Sequence, residues 1–381
     1  MNLLELWTLA TGGTQEISNL RSTFDRLLPE GRKNFNSQIS ILKSQISILK
    51  SQISILKSQI KEMDYERINR ALEEQRCNRK PQSLYEPIDY MLGLGGKRIR
   101  PMLMMMSYGL YKDDPERIMM QALALETYHN FTLLHDDLMD NSDKRRGQAT
   151  VHRRWNANTA ILSGDTMLVL AFQRMQQCDD RHLKEVMALF TQTALEIDEG
   201  QQYDMDFERR DDVTEEEYIE MIRLKTSVLL ACAMKIGAVM ADAPAEDADL
   251  LYRFGERIGL AFQLQDDLLD VYGDTKVFGK PIGGDIVENK KTFMLINALN
   301  SADDSQRQEL ERWIKATTFV REEKIMAVTR LYDELGIRQR CEQRIAQYFD
   351  EAKALLDKVA VASERKQELR DYTAKMMQRN Y

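Results

Sequence analysis

Two acidic clusters of the same pattern are the residues best suited to chemistry in this chain. They are Asp136-Asp137-Leu138-Met139-Asp140 and Asp266-Asp267-Leu268-Leu269-Asp270. If each cluster is helical, its first and last aspartates lie one turn apart on one face, where their carboxylates repel each other. Mg²⁺ relieves such repulsion, because it prefers oxygen ligands and bridges protein carboxylates to substrate phosphates. The clusters therefore predict a site for magnesium and a diphosphate group.

A basic turn directly follows the first cluster. Asp143-Lys144-Arg145-Arg146-Gly147 would lie within reach of whatever the aspartates hold. Guanidinium groups match diphosphate oxygens through two parallel hydrogen bonds. Taken alone, such a turn is more typical of a solvated loop that closes a helix. The preceding aspartates favour an anion site instead.

A second basic loop lies upstream of both clusters. Gly95-Gly96-Lys97-Arg98-Ile99-Arg100-Pro101 combines three cations with two glycines, which allow close backbone approach, and with a proline that suits a helix start. The spacing of a nucleotide-hydrolase phosphate loop is not met, and no predicted strand precedes the loop. The pattern predicts an anion cradle, with a flexible basic loop as the alternative.

A stripe of side chains on the predicted helix of the first cluster runs toward its carboxylates: Leu125, His129, Thr132, Asp136 and Asp140. This stripe could line a pocket. A histidine on a half-apolar helix is more often a core residue than a ligand. However, His129 lies two turns before Asp136, roughly 10 Å along the helix axis, which favours contact with a substrate.

Composition limits the class of protein. The 381 residues are 43% hydrophobic and 30% charged, which excludes a disordered chain and allows one or two cores. The net charge of −8 argues against nucleic acid as a partner. The four cysteines are far apart, the first residues lack a signal-peptide pattern, and no run of eighteen apolar residues occurs. We expect a cytoplasmic protein without disulfides, zinc or a membrane span.

The architecture that positions these residues is predicted to be all-α. Glycine and proline are scarce, no proline lies between Pro115 and Pro244, and helical periodicity continues almost everywhere from Tyr65 onward. No convincing alternating strand pattern occurs. Asp114 before Pro115 predicts a helix cap, and Thr214 with Glu217 predicts a capping box. A large helical bundle is therefore the simplest fold.

The first 62 residues differ in kind from the rest. From Ser37 the heptad SQISILK occurs three times unchanged, with isoleucine and leucine at 3-4 spacing, which suits a short parallel coiled coil. The outward-facing residues repeat as well, which favours a recent duplication at the nucleotide level. We therefore expect two parts: residues 1–62, a coiled coil or an upstream segment that is not native, and residues 63–381, the globular domain.

The ordered motifs together resemble the trans-isoprenyl diphosphate synthase (polyprenyl synthase) family, short-chain type, from about Asp64 to Tyr381. The resemblance rests on the GGKRIRP loop, both aspartate clusters, Arg145-Arg146-Gly147, Gly200-Gln201 with Asp204, Lys225-Thr226 and Phe262-Gln263. It implies an all-α isoprenoid synthase fold around a deep central cavity, and a homodimer. The implied reaction is condensation of isopentenyl diphosphate with an allylic diphosphate, which requires Mg²⁺. Three Mg²⁺ ions between the clusters would neutralise the departing diphosphate.

The resemblance also implies a role for individual residues. The metal ligands would be Asp136, Asp140, Asp266 and Asp270, with Asp137 and Asp267 supporting them. The residues that contact the allylic diphosphate would be Arg145, Lys225, Lys280 and Lys290, assisted by Thr226 and Gln263. The residues that bind isopentenyl diphosphate without metal would be Lys97, Arg100, His129 and Arg146. Within these sets, the residues expected to act in catalysis are Asp136, Asp140, Arg145, Lys225, Asp266 and Lys280.

Product length should depend on the side chains below the first cluster. Phe131 and Thr132 occupy the fifth and fourth positions before Asp136. One aromatic residue there resembles the geranylgeranyl type more than the farnesyl type. Two alternatives to a synthase stay open: a class I terpene cyclase and a non-catalytic helical subunit of another synthase. The all-aspartate second cluster and the GGKRIRP loop argue against the first, and the two intact clusters argue against the second.

Overall fold

The computed structural model describes residues 44–45, 47, 65–75, 79–273 and 282–377. The chain divides into two compact units, Met1–Met63 and Asp64–Tyr381, and the proposed site residues all belong to the second unit. The heptad repeats, except for three isolated residues, and Lys280 lie outside the described residues. The predictions made for them therefore stay predictions.

Helices form nearly all of the described part of the second unit, so the all-α prediction is confirmed. Residues 65–74 are helical. The later helices are α1 Gln82–Gly93, α2 Ile99–Gly109, α3 Met119–Met139, α4 Val151–Arg154, α5 Ala157–Met175, α6 Asp180–Phe207, α7 Glu215–Ile222, α8 Val228–Met240, α9 Ala245–Tyr272, α10 Gly284–Glu288, α11 Phe293–Ser301, α12 Asp304–Lys315, α13 Arg321–Glu334, α14 Ile337–Lys358 and α15 Ser363–Met377. A π-helical segment, Arg223–Ser227, joins α7 to α8.

Helix α8 forms the centre of the bundle. It packs against α2, α6 and α9, while α3 packs on α5 and α9 packs on α14. Eleven of the thirteen residues of α8 are buried, as expected for a core helix that is apolar on all sides. Gly237 on α8 and Gly255 on α9 allow these approaches, because a Cβ at Gly255 would lie 2.8 Å from the Ala231 Cα atom. The apolar sequence of α8 thus fixes the axis around which the other helices are placed.

The two helix starts with predicted caps differ in whether the side chain makes the capping hydrogen bond. The capping box is confirmed, since the Thr214 hydroxyl accepts from the Glu217 backbone N–H at 3.2 Å and the Glu217 carboxylate accepts from the Thr214 N–H at 2.9 Å. Asp114 is also an N-cap residue followed by Pro115, as predicted, but of a short 3₁₀ helix. The Asp114 side chain makes no capping hydrogen bond and instead accepts one from the Tyr108 hydroxyl at 2.7 Å. The 3₁₀ helix, Pro115–Ile118, precedes α3.

A two-residue antiparallel pair interrupts the helices directly after the first cluster. Strands β1 Lys144–Arg145 and β2 Gln148–Ala149 pair so that Arg145 faces Gln148. Arg146 and Gly147 form the turn with positive φ angles of 52° and 78°, the left-handed region that such a tight turn requires. No strand was expected here. The hairpin is too short to give an alternating pattern, yet it orients both arginines of the basic turn.

No described helix combines the length and the hydrophobicity that crossing a bilayer requires. The apolar side chains instead form two buried clusters. The larger one surrounds α2, α3 and α8, and the smaller one lies between α7, the C-terminal half of α9 and later helices. The first aspartate cluster belongs to a helix of the larger core, while the second lies where α9 enters the smaller one. The two cores therefore hold the two clusters in place.

Candidate active site

The first cluster lies at the C-terminal end of α3. Asp136 and Asp137 are in its last turn and Asp140 is its C-cap residue. The backbone carbonyls at this end already carry partial negative charge, so three carboxylates are electrostatically unfavourable there without cations. Two cations of the protein approach from other elements. Lys225 Nζ lies 3.2 Å from Asp136 Oδ1, and Arg145 Nη2 lies 3.8 Å from Asp136 Oδ2.

The second cluster lies in the last two turns of α9, at the corresponding end of its helix. Asp267 is 4% exposed and accepts hydrogen bonds from the Tyr218 hydroxyl and, at 3.1 Å, from Gln263 Nε2. Asp270 Oδ2 accepts from the Asp285 backbone N–H at 3.0 Å. These two carboxylates of the cluster thus accept hydrogen bonds from neutral donors.

The second aspartate of each cluster points into the protein. The Asp137 side chain is 3% exposed and pairs with Arg145 Nε at 2.7 Å, and Asp267 is enclosed by Tyr218 and Gln263. Burial raises the pKa of Asp137, which the hydrogen bond and charge of Arg145 partly offset. These two carboxylates are therefore satisfied by the protein itself.

Lys225 links the first cluster to α6. Its Nζ donates to Asp204 Oδ2 at 2.6 Å and to Asp136 Oδ1 at 3.2 Å. Burial acts to lower the pKa of Lys225, but the charges of Asp136 and Asp204 outweigh it, so the net pKa is above its ordinary value. The ammonium group therefore stays charged across the physiological range.

Two glycines allow the π-helical segment to sit where Lys225 reaches the aspartates. A Cβ at Gly200 on α6 would collide with the Lys225 backbone nitrogen and would lie 2.8 Å from the Leu224 carbonyl carbon. A Cβ at Gly259 on α9 would lie 2.6 Å from the Ser227 Cα atom. Single π turns inside helices are often found at functional sites, and here the turn is packed between glycines on both sides.

Lys290 supplies positive charge near residues of both clusters. It follows α10, whose Asp285 is hydrogen-bonded through its backbone to Asp270. Burial acts to lower the pKa of Lys290, but Asp285, Asp140 and Asp204 are among the carboxylates that raise it well above its usual range. The Lys290 ammonium group, which pairs with Glu288 at 3.3 Å, is therefore influenced by Asp140 of the first cluster and by Asp285, the residue bonded to Asp270 of the second.

The carboxylates of this region are short of positive charge. Burial, followed by the charge of Asp136, raises the pKa of Asp140 to about 6. Burial also raises the pKa of Asp267 to about 7, and burial with the charges of Asp270 and Asp267 raises that of Asp285. These carboxyl groups hold their protons more tightly than ordinary aspartates do, so a nearby cation would stabilise their charged forms.

This donor set fits hard divalent cations. It consists of carboxylate oxygens, which are ligands that Mg²⁺ prefers. In the described ranges no three His, Cys, Asp or Glu side chains gather as a metal-binding group by themselves. Mg²⁺ in proteins is commonly bound by one or two carboxylates together with substrate phosphates. Asp136, Asp140, Asp266 and Asp270 have the chemistry to hold such ions.

A second group of cations lies beside the aspartates. Arg100 is half-buried, and its buried Nε has no hydrogen-bond partner among the described residues. Burial lowers the pKa of Arg100 to about 10 against the opposing charges of Glu126 and Asp266. Arg146 Nη1 donates to the Gly95 carbonyl oxygen. An unsatisfied buried donor is costly, so the Arg100 guanidinium is prepared for an anionic ligand.

His129 belongs to this group, in keeping with its place on the stripe of α3. Burial, followed by the charges of Arg100, Arg146 and Arg145, lowers its pKa well below the ordinary value. The ring is therefore neutral at physiological pH and can donate one hydrogen bond without adding charge. Lys97 is exposed and lies just before α2, whose first turn carries Arg100. The structure thus groups His129, Arg100 and Arg146.

The other predicted residues line the neighbourhood of these groups. Thr226 Oγ1 donates to Gln263 Oε1 at 3.1 Å, which joins the π-helical segment to α9. Thr132 Oγ1 donates to the His129 carbonyl oxygen at 2.9 Å. Phe131 is 8% exposed and packs edge-on against Tyr128 and His135, with centroid distances of 5.5 and 4.8 Å. The aromatic ring therefore lies on the core side of α3, below the aspartates.

Some residues of the site are not evident from the sequence. Asp285 and Tyr218 contact the second cluster, and Asp204 binds Lys225, yet only Asp204 belongs to a motif that carries the family resemblance. Gly283-Gly284-Asp285 repeats the pattern of two glycines before a charged residue, which is the one local signal for Asp285. Nothing in the sequence pairs Tyr218 with Asp267, because 49 residues separate them.

Comparisons with known proteins agree on one family. The polyprenyl synthetase family model matches residues 81–332, more than half of the chain. A short chain isoprenyl diphosphate synthase of Methanocaldococcus jannaschii is 45% identical over 232 residues, which are 61% of this chain and 71% of that protein. A geranylgeranyl diphosphate synthase of Methanosarcina mazei is 36% identical over 296 residues, covering 76% and 88% of the two chains.

Solved structures give the same result. The crystal structure of geranylgeranyl pyrophosphate synthetase from Pyrococcus horikoshii matches with a TM-score of 0.79 and 31% identity, covering 86% of this chain and 100% of that chain. Sequence and fold therefore lead to one conclusion: the chain belongs to the polyprenyl synthetase family and is an enzyme with prenyltransferase activity.

Proposed function

We propose that this enzyme catalyses the Mg²⁺-dependent head-to-tail condensation of isopentenyl diphosphate with an allylic diphosphate, giving a longer prenyl diphosphate and diphosphate. The observation that carries this proposal is the contact of Lys225 with both Asp136 and Asp204, at 3.2 and 2.6 Å. The charges of Asp140, Asp204 and Asp285 also act on Lys290, and Asp285 is bonded to Asp270 of the second cluster. A separate group of cations lies beside it. Two diphosphates can thus be held by different means.

The allylic diphosphate is assigned to the region between the aspartate clusters. Asp136, Asp140, Asp266 and Asp270 would hold Mg²⁺, with three ions per site proposed, and these ions would act as Lewis acids that neutralise the leaving diphosphate. The proposed direct protein contacts with this diphosphate are those of Arg145, Lys225, Lys280 and Lys290. Asp137 keeps Arg145 oriented through the 2.7 Å ion pair, and Gln263 with Thr226 forms the polar rim.

Isopentenyl diphosphate is assigned to the basic loop and the neutral histidine. Arg100 offers an unsatisfied buried donor, Arg146 and Lys97 supply charge, and His129 can donate a hydrogen bond without being a cation. Isopentenyl diphosphate would be bound by these side chains without a metal ion. This assignment separates the present reaction from that of a class I cyclase, which has no second diphosphate to bind.

The reaction follows from this placement. Cleavage of the allylic carbon–oxygen bond releases diphosphate, whose charge Lys225, Lys290 and Arg145 would stabilise. Mg²⁺ held by the aspartates would add Lewis-acid stabilisation of the same group. The double bond of isopentenyl diphosphate then forms the new carbon–carbon bond to the allylic carbon. A proton is lost from the neighbouring carbon, and the released diphosphate is the proposed acceptor. No protein side chain is required as a base.

The proposed product is geranylgeranyl diphosphate, with farnesyl diphosphate as the second candidate. Phe131 is the single aromatic residue at the two positions below the first cluster, and Thr132 turns its hydroxyl to the helix backbone. Two relatives are named for longer products: the geranylgeranyl diphosphate synthase of Methanosarcina mazei and a geranylfarnesyl diphosphate synthase of Natronomonas pharaonis. Their names support a cavity floor deeper than that of a farnesyl enzyme.

We also propose that two copies of the chain form a homodimer through α5 and α6. Ile161, Leu162 and Val169 on α5 and Leu195 on α6 are 46 to 66% exposed, while Phe172 and Phe190 pack at 4.9 Å and join the two helices. Apolar side chains grouped on one surface favour association. Light scattering should give twice the chain mass for the native protein and a lower mass for Val169→Glu with Leu162→Glu. A native monomer would contradict the proposal.

The globular domain is proposed to suffice for activity. The chain divides into its two compact units between Met63 and Asp64, and the proposed site residues all lie after this point. A chain that begins at Met63 should therefore keep full turnover. Loss of turnover in a folded chain of this length would assign a function to residues 1–62.

The decisive experiment supplies purified enzyme with MgCl₂, labelled isopentenyl diphosphate and, separately, dimethylallyl, geranyl and farnesyl diphosphate. Products are then separated by chain length. Extension of at least one primer, with loss of turnover in EDTA, is the expected result. Cyclic hydrocarbon products from an allylic diphosphate alone would favour a cyclase. Absence of condensation with every primer would contradict the proposal.

A further inference from the structure

Arg98 is the centre of a buried network that lies behind the basic loop. Its side chain is 3% exposed and pairs with Glu126 on α3, with Nη1 to Oε1 at 2.5 Å. Its Nη2 donates to the Leu92 carbonyl oxygen at 2.9 Å, and its Nε donates to Asn69 Oδ1 at 3.0 Å. All three nitrogens of the guanidinium group therefore have protein acceptors, whereas the Nε of Arg100 has none among the described residues.

The backbone at Arg98 requires such support. Its φ angle is 49°, the left-handed region, which is unfavourable for a residue with a Cβ unless its surroundings hold it there. Arg98 is the N-cap residue of α2, so its conformation sets the direction in which α2 leaves the loop. Lys97 directly precedes it and Arg100 follows two residues later, so the directions of both side chains depend on this one residue.

The backbone carbonyls of the two glycines before Lys97 each accept a hydrogen bond from a distant side chain. The Tyr65 hydroxyl donates to the Gly96 carbonyl oxygen at 2.8 Å, and Arg146 donates to the Gly95 carbonyl oxygen. Tyr65 and Asn69 lie on the same helical segment, residues 65–74, one turn apart. Ile68 and Leu72 of this segment are at most 5% exposed and anchor it in the larger core.

We propose that Asn69 and Tyr65 are positioning residues for isopentenyl diphosphate, acting through Arg98 and the Gly96 carbonyl. This inference rests on the proposed function, since it assigns the loop to that substrate. Both residues precede the part of the chain that the family model matches, which begins at residue 81. The segment 65–74 therefore belongs to the site, although it supplies no group that touches a substrate.

The inference predicts an effect confined to one substrate. Asn69→Ala removes the acceptor of Arg98 Nε and loosens the loop, so the KM for isopentenyl diphosphate should rise about fivefold to tenfold, with the KM for the allylic substrate unchanged within about twofold. Asn69→Asp keeps an oxygen acceptor in place and should restore most of the native KM. Tyr65→Phe, which removes only a hydroxyl group, should show the same selectivity.

Glu73→Ala is the matched control, because Glu73 is an exposed residue on the same segment. It should leave both KM values unchanged. Equal KM values for native enzyme, Asn69→Ala and Tyr65→Phe would overturn the inference. So would a rise in both KM values together with a lower melting temperature in Asn69→Ala that Asn69→Asp does not reverse, since that describes general destabilisation.

Failure of the proposed function would look different, because the native enzyme itself would then not condense isopentenyl diphosphate with any primer. If Asn69→Ala does not fold, the comparison of Tyr65→Phe with the native enzyme still decides the inference. Circular dichroism and thermal unfolding, recorded on the same preparations, establish which variants are folded.

Discussion

The backbone of Gly200 lies against the backbone of Lys225, so closely that a Cβ at position 200 would collide with the Lys225 nitrogen. This contact sets the separation between α6, which carries Asp204, and the π-helical segment, which carries the lysine. The Lys225 ammonium reaches both Asp204 and Asp136 only at this separation. The absence of a side chain at position 200 thus determines where the lysine of the first cluster lies.

Gly200→Ala should therefore reduce turnover strongly. The added methyl group forces the two backbones apart, which costs about 1 to 3 kcal/mol as overpacking and displaces Lys225 from the carboxylates. We expect kcat to fall by about 10- to 100-fold, since misplacement of about 1 Å has that effect in active sites. Steady-state kinetics with saturating substrates measures this. Gly109→Ala is the matched control, because no atom lies within 4 Å of a Cβ there; a similar loss in both variants would contradict the explanation.

Asp136→Ala should abolish turnover and leave the helical content intact. Asp136 is partly exposed, at 20%, at the end of α3, so its loss creates no buried cavity. It removes a proposed metal ligand and a partner of Lys225, and a fall in kcat/KM of at least about 1,000-fold is expected. Labelled-product assays and circular dichroism test the two halves of this prediction. Glu185→Gln, an exposed carboxylate change on α6, should stay fully active. Near-native turnover in Asp136→Ala would reject its role.

Phe131→Ala should lengthen the product. The ring is buried between Tyr128 and His135, and its removal opens space along α3 into which a growing chain could extend. The same change costs about 3 to 5 kcal/mol of folding free energy, so assays belong well below the melting temperature. Tyr348→Ala truncates an aromatic residue of equal exposure in the smaller core and should destabilise without altering product length. An unchanged product distribution in Phe131→Ala would place the floor elsewhere.

Magnesium should stabilise the enzyme more at high pH than at low pH. The pKa of Asp140 is about 6 and that of Asp267 about 7, both above the ordinary 3.8. The folded state therefore binds more protons than the unfolded state over this interval, and its free energy of unfolding falls as the pH rises from about 4 to about 7. Divalent ions offset the charge that appears on deprotonation.

Thermal unfolding with MgCl₂ or EDTA at about pH 5 and about pH 8 measures this effect. The increase in melting temperature that MgCl₂ causes should be larger at the higher pH. Asp140→Asn should reduce that increase, because one of the carboxylates that charges in this interval is gone. Equal increases at both pH values would contradict the prediction.

The helices, including the two that carry the aspartate clusters, can be predicted from the sequence, because they depend on local patterns. The 3-4 spacing around Asp136 and the capping box at Thr214 are short-range signals, and each was confirmed. Contacts between distant parts of the chain were not predicted. The pairing of Tyr218 with Asp267 depends on how α7 meets α9. The inward direction of Arg98 depends on Glu126 and Asn69, which no spacing in the GGKRIRP loop reveals.

The π-helical segment has a consequence for how this chain can change. A π turn contains one residue more than a regular helical turn, and here that additional residue lies within the segment Arg223–Ser227. Deleting it would restore an uninterrupted helix from α7 into α8, with better backbone hydrogen bonds. It would also rotate every residue on one side by about 100° relative to the other, so Lys225 could no longer share a face with its present neighbours. Single-residue deletions are tolerated in many surface loops, but in this turn a more regular helix would be an inactive one.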